Sequence, residues 1–321
     1  IYRSATLRYL GPAYRYRITL EPHRQRWWFA LDLPTGAPRE GVFFTFDYQL
    51  IGLEPVTQAV SYEMTSHIDY RSDDQASLLA RRIDLQLPQR RNPRSIAWAK
   101  RERARAGSDR AFVERVLGLF RDGGYVYSLT PPRLDLDSVD DFLFRTRTGF
   151  CGHYASAFVT LMRAAGIPAR VVTGYHGGEW NPIGQYLIVR QSDAHAWAEI
   201  WIDGRGWTRF DPTGVVAPDR LQRAALDRIA VLSEGADPLI AELGLWQRTV
   251  LTWDTVNTWW KLRVLEFDLR SQLQLMQDLG FERPGLRQLG WLTVAGLALW
   301  LLSVGLRFSR AARAPRGDRL T

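Results

Sequence analysis

Cys151 is the only cysteine among the 321 residues. It stands in the run Arg147-Thr148-Gly149-Phe150-Cys151-Gly152-His153-Tyr154-Ala155. A lone cysteine cannot close an internal disulfide, so it is either a small buried hydrophobe or a nucleophile. Downstream come Asp193-Ala194-His195-Ala196-Trp197 and then Trp207-Thr208-Arg209-Phe210-Asp211-Pro212-Thr213. Thiol, imidazole and carboxylate in this order supply the three parts of thiol acyl chemistry: a nucleophile, a base that takes its proton, and a group that orients the base.

Such chemistry needs elements that hold the groups. Tyr154, Phe158, Leu161, Met162 and Ala165 recur at helical spacing and predict a helix that starts at Cys151 and stops at Gly166-Ile167-Pro168. Unpaired N–H groups at a helix start favour a thiolate, and the backbone N–H of Cys151 could hold an oxyanion. Gly149 and Gly152 let substrate backbone come close. His195 falls on a strand, on one face with Trp197, Glu199 and Trp201, while Ala196, Ala198 and Ile200 face the other way. Counting across a turn Asp203-Gly204-Arg205-Gly206 sets Asp211 opposite Ala198, about 10 Å along the strand from His195. A bulge or strong twist is therefore expected to bring them together. Each residue alone has a plainer reading: a packed histidine, or an Asp-Pro-Thr that starts a turn. The ordered combination favours a site.

The local words resemble a known family. Gly149-Phe150-Cys151-Gly152-His153-Tyr154-Ala155, Arg163-Ala164-Ala165-Gly166-Ile167-Pro168-Ala169-Arg170, Gly174-Tyr175, His195-Ala196-Trp197-Ala198-Glu199 and Gly206-Trp207 to Asp211-Pro212-Thr213 together resemble the transglutaminase-like core. The match extends to membrane-anchored bacterial transglutaminase-like proteins of the TgpA type. The resemblance implies an α+β fold with a papain-like core, in which Cys151 is the nucleophile, His195 the base and Asp211 its orienter. It implies acyl transfer from a glutamine donor to an amine acceptor, with water as an alternative acceptor in a protease or amidase acting on peptide or cell-wall substrates. A third alternative is an inactive membrane-tethered scaffold. Gly152, Trp197 and His153 are candidates for substrate or oxyanion contact, and Trp197 serves equally as packing. His153 stands where many relatives carry Asp, and either tunes the thiolate or faces solvent.

Around this core the chain divides by pattern. Tyr14 to Leu20 and Val42 to Leu50 alternate with period two, so residues 1–92 are expected to form an antiparallel β domain, a sandwich or barrel. Asn92 and Pro93 open a helix, and a second runs from Ser108 or Asp109 to Gly123. The core is placed at 93–217 and a helical juxtamembrane region at 218–288. Residues 289–306 carry no charge and suffice to cross a bilayer. The tail 307–321 holds five arginines against one aspartate, which by the positive-inside rule puts it in the cytoplasm and the core in the periplasm. The chain opens at Ile1 without a signal pattern, so an export signal is expected upstream. At 46% hydrophobic the chain can bury a sizeable core, which excludes wholesale disorder. The formal net charge of +8 is in part this tail. A second basic cluster, Arg81 to Arg105, reads as a solvated face or as attraction to an anionic surface. No nucleic-acid motif is present. Asp135, Asp137, Asp140 and Asp141 read as a loop and helix start rather than a calcium loop, and no cofactor or metal is expected.

A lone thiol in an oxidising compartment carries a liability. Mild peroxide should abolish activity and a thiol reductant should restore it; activity that survives peroxide would mean that Cys151 is not the nucleophile.

Overall fold

The computed structural model of the chain describes residues 7–45, 49–72, 82–217 and 244–260, with Val294 and Trp300. The first two stretches form β1 (Leu7–Tyr9), β2 (Tyr14–Leu20), β3 (Trp27–Trp28), β4 (Val42–Phe44), β5 (Leu50–Gly52), β6 (Val60–Ser66) and β7 (Tyr70–Ser72). Among the described residues these strands pair as three small antiparallel sheets: β1 with β7, β2 with β6, and β3–β5–β4. Only β2 and β6 reach seven residues, and they pack against the β3–β5–β4 sheet. The alternating run from Val42 to Leu50 is a hairpin, not one strand. Phe44 pairs with Leu50, and Thr45 N–H donates to Gln49 O at 2.9 Å. Directly paired residues share a face, so period two survives the reversal and hides it. Phe46 and Tyr48 of that run lie outside the described residues. Val42, Leu50, Tyr62 and Met64 form a small core of their own.

Two helices follow, α1 (Pro93–Arg105) and α2 (Asp109–Asp122). Ser108 caps α2, its Oγ accepting from Ala111 N–H at 3.1 Å, and Gly123 ends it. Asn92 holds the capping position of α1 in a left-handed conformation (φ 53°), but its side chain caps another helix. Its Oδ1 accepts from Val139 and Asp140 N–H at 3.0 and 3.3 Å, at the start of α3 (Ser138–Asp141). Asp140 returns the service: its carboxylate accepts from Arg94 and Ser95 N–H at 2.9 and 2.7 Å, and from the Ser95 hydroxyl. The two helix starts thus cap each other, with Asn92 and Asp140 both buried. Asp137 accepts from Asn92 N–H, and Asp141 pairs with Arg145.

After β8 (Val126–Tyr127), a π turn at Phe142–Thr146 and β9 (Thr148–Gly149) comes α4 (Cys151–Ala164). Tyr154, Ala157, Phe158, Leu161 and Met162 are fully buried, against Phe112, Val116 and Phe120 of α2 and against Ala198 and Ile200. The last two belong to a sheet of β10 (Ala169–Tyr175), β13 (Ala194–Ile202) and β14 (Gly206–Phe210), in the order β10–β13–β14. A left-handed Gly166 (φ 81°) ends α4. Ile167 N–H donates to Met162 O and Gly166 N–H to Arg163 O, at 3.0 and 3.1 Å, so the end carbonyls are satisfied and Pro168 turns the chain into β10. Between β10 and β13 a hairpin of β11 (Glu179–Asn181) and β12 (Tyr186–Ile188) leaves the sheet. A final helix, α5 (Leu245–Trp260), is the described part of the 218–288 region. The run 289–306, apart from Val294 and Trp300, and the tail 307–321 lie outside the described residues. Among the described residues no helix is long and apolar enough to cross a membrane.

Replacing Asp140 by Ala strands two N–H donors at the start of α1, the buried one of Ser95 and the part-buried one of Arg94. Charged hydrogen bonds of this kind contribute about 1.5–3 kcal/mol each. Asp140→Ala should lower the unfolding free energy by at least about 2 kcal/mol in urea titration; a change within 0.5 kcal/mol, roughly that of a surface substitution, would refute the cross-capping.

Candidate active site

Cys151 is the first residue of α4 and is half-buried. The first turn of α4 has no acidic residue to oppose a thiolate. Gly149 packs so tightly before it that a Cβ there would lie 2.7 Å from His153 and 2.9 Å from Phe142. His153 Nδ1 accepts the N–H of Phe150 at 3.3 Å, closing the helix start. Burial holds the His153 imidazole below its usual range, more than its Phe150 bond raises it, so it stays neutral. Its place is therefore in the backbone of the turn.

His195 is the second residue of β13, and Asp211 directly follows β14. Nε2 of His195 lies 2.7 Å from Oδ2 of Asp211, with the two side chains 12% and 14% exposed. The expected register is one residue off. Ile202 pairs with Gly206 and Ala198 with Phe210, so the loop is the three residues Asp203-Gly204-Arg205. Arg205 N–H donates to Ile202 O at 3.0 Å, and Gly204 and Gly206 take φ of 77° and 78°. Such conformations suit glycine. Shifting the count by one moves Asp211 onto the face of Trp197 and His195. No bulge interrupts the pairing from Ala198 to Ile202.

Asp211 serves two partners. Oδ1 accepts Thr213 N–H at 2.9 Å and so starts the short turn Pro212–Val215, while Oδ2 meets His195. The turn packs on α2 and α4, and Thr213 is buried. With Nε2 committed to Asp211, Nδ1 is the ring nitrogen left for the thiol. Burial pushes the Cys151 thiol up. Hydrogen bonding from His195, the N–H groups of Ala196 and Gly152, and the imidazolium charge outweigh that and hold it below its usual value. Burial likewise works against the His195 cation, yet Asp211 and Cys151 raise its pKa to about 9. Asp211 is kept low despite its burial, first by the His195 hydrogen bond. The site thus favours a thiolate–imidazolium pair.

Gly152 contributes its N–H to the sulfur, and a Cβ on it would meet the Phe150 ring at 3.0 Å. Trp197 is 6% exposed, under the Arg209 guanidinium at 3.9 Å and against Gly174, where a Cβ would lie 2.9 Å from its ring. One residue escapes the sequence reading. His176 packs edge-on against His195 at 5.2 Å, and His176, His195 and Asp211 bring one ligand atom each within 4.8 Å of one another. A cation could bridge them only by displacing the proton between His195 and Asp211. The pairing Gly174↔His195 was the signal, but it needs the register of β10 and β13.

Residues 96–212 match the transglutaminase-like superfamily, and residues 3–73 match the TgpA N-terminal domain. Two crystal structures of the periplasmic domain of TgpA from Pseudomonas aeruginosa resemble the chain. One, bound to ethylmercury, is 41% identical with a TM-score of 0.65, covering 68% of this chain and 79% of that one. The other is 42% identical with a TM-score of 0.65, covering 68% and 75%. The chain belongs to the TgpA family of transglutaminase-like proteins. A curated TgpA-like relative, the protein-glutamine gamma-glutamyltransferase of Pseudomonas aeruginosa, is 40% identical over 273 residues, which is 83% of this chain and 41% of that protein. The uncharacterized protein YebA of Bacillus subtilis is 44% identical over 90 residues, 27% of this chain and 12% of its own length. The chain therefore spans less than half the length of these curated relatives.

The geometry sets a pH signature for this TgpA-family site. The thiolate should persist below the ordinary thiol range near ~8.5, and its imidazolium partner up to about pH 9. Iodoacetamide should alkylate Cys151 at pH 6 much faster than a free thiol. His195→Ala, and more weakly Asp211→Asn, should raise the thiol pKa, each unit cutting the pH 6 rate about tenfold. Identical rate–pH curves for all three proteins would overturn the pairing.

Proposed function

We propose that the chain is a cysteine acyltransferase of the protein-glutamine gamma-glutamyltransferase type, acting on the periplasmic side of a membrane that residues 289–306 span. The observation that carries this reading is the meeting of Cys151, His195 and Asp211 at the tip of one buried helix. The Pseudomonas aeruginosa protein-glutamine gamma-glutamyltransferase supports the reaction type, and the periplasmic domain of TgpA supports the location.

In this mechanism the Cys151 thiolate adds to the carboxamide carbon of a glutamine side chain. The new oxyanion is met by the N–H of Cys151, which as the first helical residue has no carbonyl one turn back. The C–N bond breaks, and the His195 imidazolium gives its proton to the departing ammonia. An amine then attacks the thioester, His195 takes its proton, and the Cys151 thiolate leaves to restore the site. Asp211 keeps the ring in place for both transfers and offsets its charge. A cell-wall peptide or a protein is the expected donor or acceptor.

Incubation with a glutamine peptide and a labelled primary amine tests this. Amine should be incorporated, Cys151→Ala should abolish it, and His195→Ala should lower it by about a hundredfold or more. Ammonia or peptide release without amine uptake would make water the acceptor and the chain an amidase or protease. No turnover, with Cys151→Ala indistinguishable from the parent, would leave a membrane-tethered scaffold.

A further inference from the structure

The helix α5 carries its large apolar side chains mostly on the side away from the protein. Its protein-facing side buries Leu251 and is otherwise held by polar contacts. Asn181 of β11, fully buried, donates through Nδ2 to Leu251 O at 3.2 Å and Thr255 Oγ1 at 3.1 Å. The Asn181 Oδ1 accepts Ile183 and Gly184 N–H at 3.0 and 3.1 Å, so every hydrogen-bonding group of this amide is engaged. Tyr186 of β12 donates to Asp254 Oδ2 at 2.5 Å. The opposite side of α5 is apolar and open. Trp246 is 80% exposed, Val250 47%, Trp253 71% and Val256 52%. Trp246, Val250 and Trp253 are four and then three residues apart, one stripe along the helix, and the interval of seven recurs in the sequence at Trp260. Thr249 and Thr252 flank the stripe, Asn257 is the one polar residue on it between Trp253 and Trp260, and no charged residue lies on it.

We infer that this face of α5 rests in the headgroup region of the outer leaflet of the membrane that the chain is anchored in. The inference builds on the anchor at 289–306 in the proposed function. Tryptophan is the side chain enriched at the membrane–water boundary, where its ring is buried and its N–H stays wet. Residues 261–288 separate α5 from the uncharged run. Even fully extended, such a tether reaches about 100 Å at most. The surface of the same bilayer is thus always at high effective concentration, and weak contact suffices. The clamp by Asn181 and Tyr186 passes this placement on. The hairpin β11–β12 that they hold lies in the chain between His176 and His195. A lipid-seated α5 would fix this hairpin, and the strands that lead from it to His176 and His195, relative to the bilayer, and so select acyl donors displayed close to the membrane surface.

The test uses the whole chain in vesicles of phosphatidylethanolamine and phosphatidylglycerol. In a Cys151→Ser background, Trp253→Cys is labelled with a fluorophore, and Arg15→Cys, on the exposed β2, is labelled as the control. Lipids with a nitroxide near the headgroup should quench the label at 253 at least twofold more than at 15. Carbonate washing of the same vesicles reports on the anchor separately. Chain retained with equal quenching at both positions overturns this inference and leaves the anchor standing. Equal quenching together with concentration-dependent dimers would assign the face to a second copy instead. Chain released by carbonate overturns the anchor and this inference together.

Discussion

The contact between His195 Nε2 and Asp211 Oδ2, 2.7 Å long, decides which ring nitrogen faces Cys151. It rests on one detail of chain direction. The loop between β13 and β14 has three residues, and Gly204 and Gly206 both adopt positive φ. A side chain at either position would be strained, and a four-residue loop would turn Asp211 to the opposite face of the sheet. The carboxylate is then held from behind, because its other oxygen starts the turn Pro212–Val215 that packs on α2 and α4. The plain reading of Asp-Pro-Thr as a turn starter and the chemical reading are thus both satisfied by one side chain with two oxygens.

The thiol is fixed with equal care. The first turn of α4 is held by the His153 acceptor and by the close approach of Gly149. Its far end is held by Gly166 and by Arg163, which donates to Ala169 O at 2.7 Å and Gln86 O at 2.8 Å. Between these ends the helix is buried among large aromatic residues, including Phe112, Phe120 and Phe142. A helix set this way has little freedom to slide, so the distance from sulfur to imidazole is defined by packing rather than by the two residues themselves. Burial alone would favour the neutral thiol. The donors at Gly152, Ala196 and His195 reverse that preference.

Much of this was legible in the sequence, and what was not has a common cause. The starts and stops of α2 and α4 follow from Ser108, Gly123 and Gly166, whose signals are local. The two faces of β13 follow from period two. Relations between distant segments were harder to read. Asn92 occupies the expected capping position, yet its side chain serves a helix more than forty residues away, and Asp140 serves Asn92's own helix. Nothing local distinguishes a cap for one's own helix from a cap for a neighbour. His176 was missed because its place beside His195 depends on the pairing of β10 with β13. The hairpin at Phe44 to Leu50 was missed because an antiparallel reversal preserves the alternation that defined the run.

The face of the β10–β13–β14 sheet that carries Trp197, Glu199 and Trp201 explains why the small β sheets are not a separate bead. That face holds charge. Arg170 bonds Glu199 at 2.7 Å and lies 4.2 Å over Trp207, while Arg209 lies 3.9 Å over Trp197. Stacked guanidinium groups can be covered more cheaply than ammonium groups, because they are weakly hydrated and their planes match the rings. The cover comes from β7, which packs on β14. Burial, with Glu199 and Asp32 adding to it, pushes the Tyr70 phenol well above its usual range, so it stays neutral over this cluster. Phe29 reaches Tyr175 at 5.3 Å, one residue from His176. The residues up to Val256 accordingly form one compact unit. Strand β13 is therefore sandwiched between α4 and the N-terminal sheets, and the position of His195 depends on both. A shift of the N-terminal sheets would be felt at the imidazole through Trp197 and Arg209, without any of those strands touching the thiol.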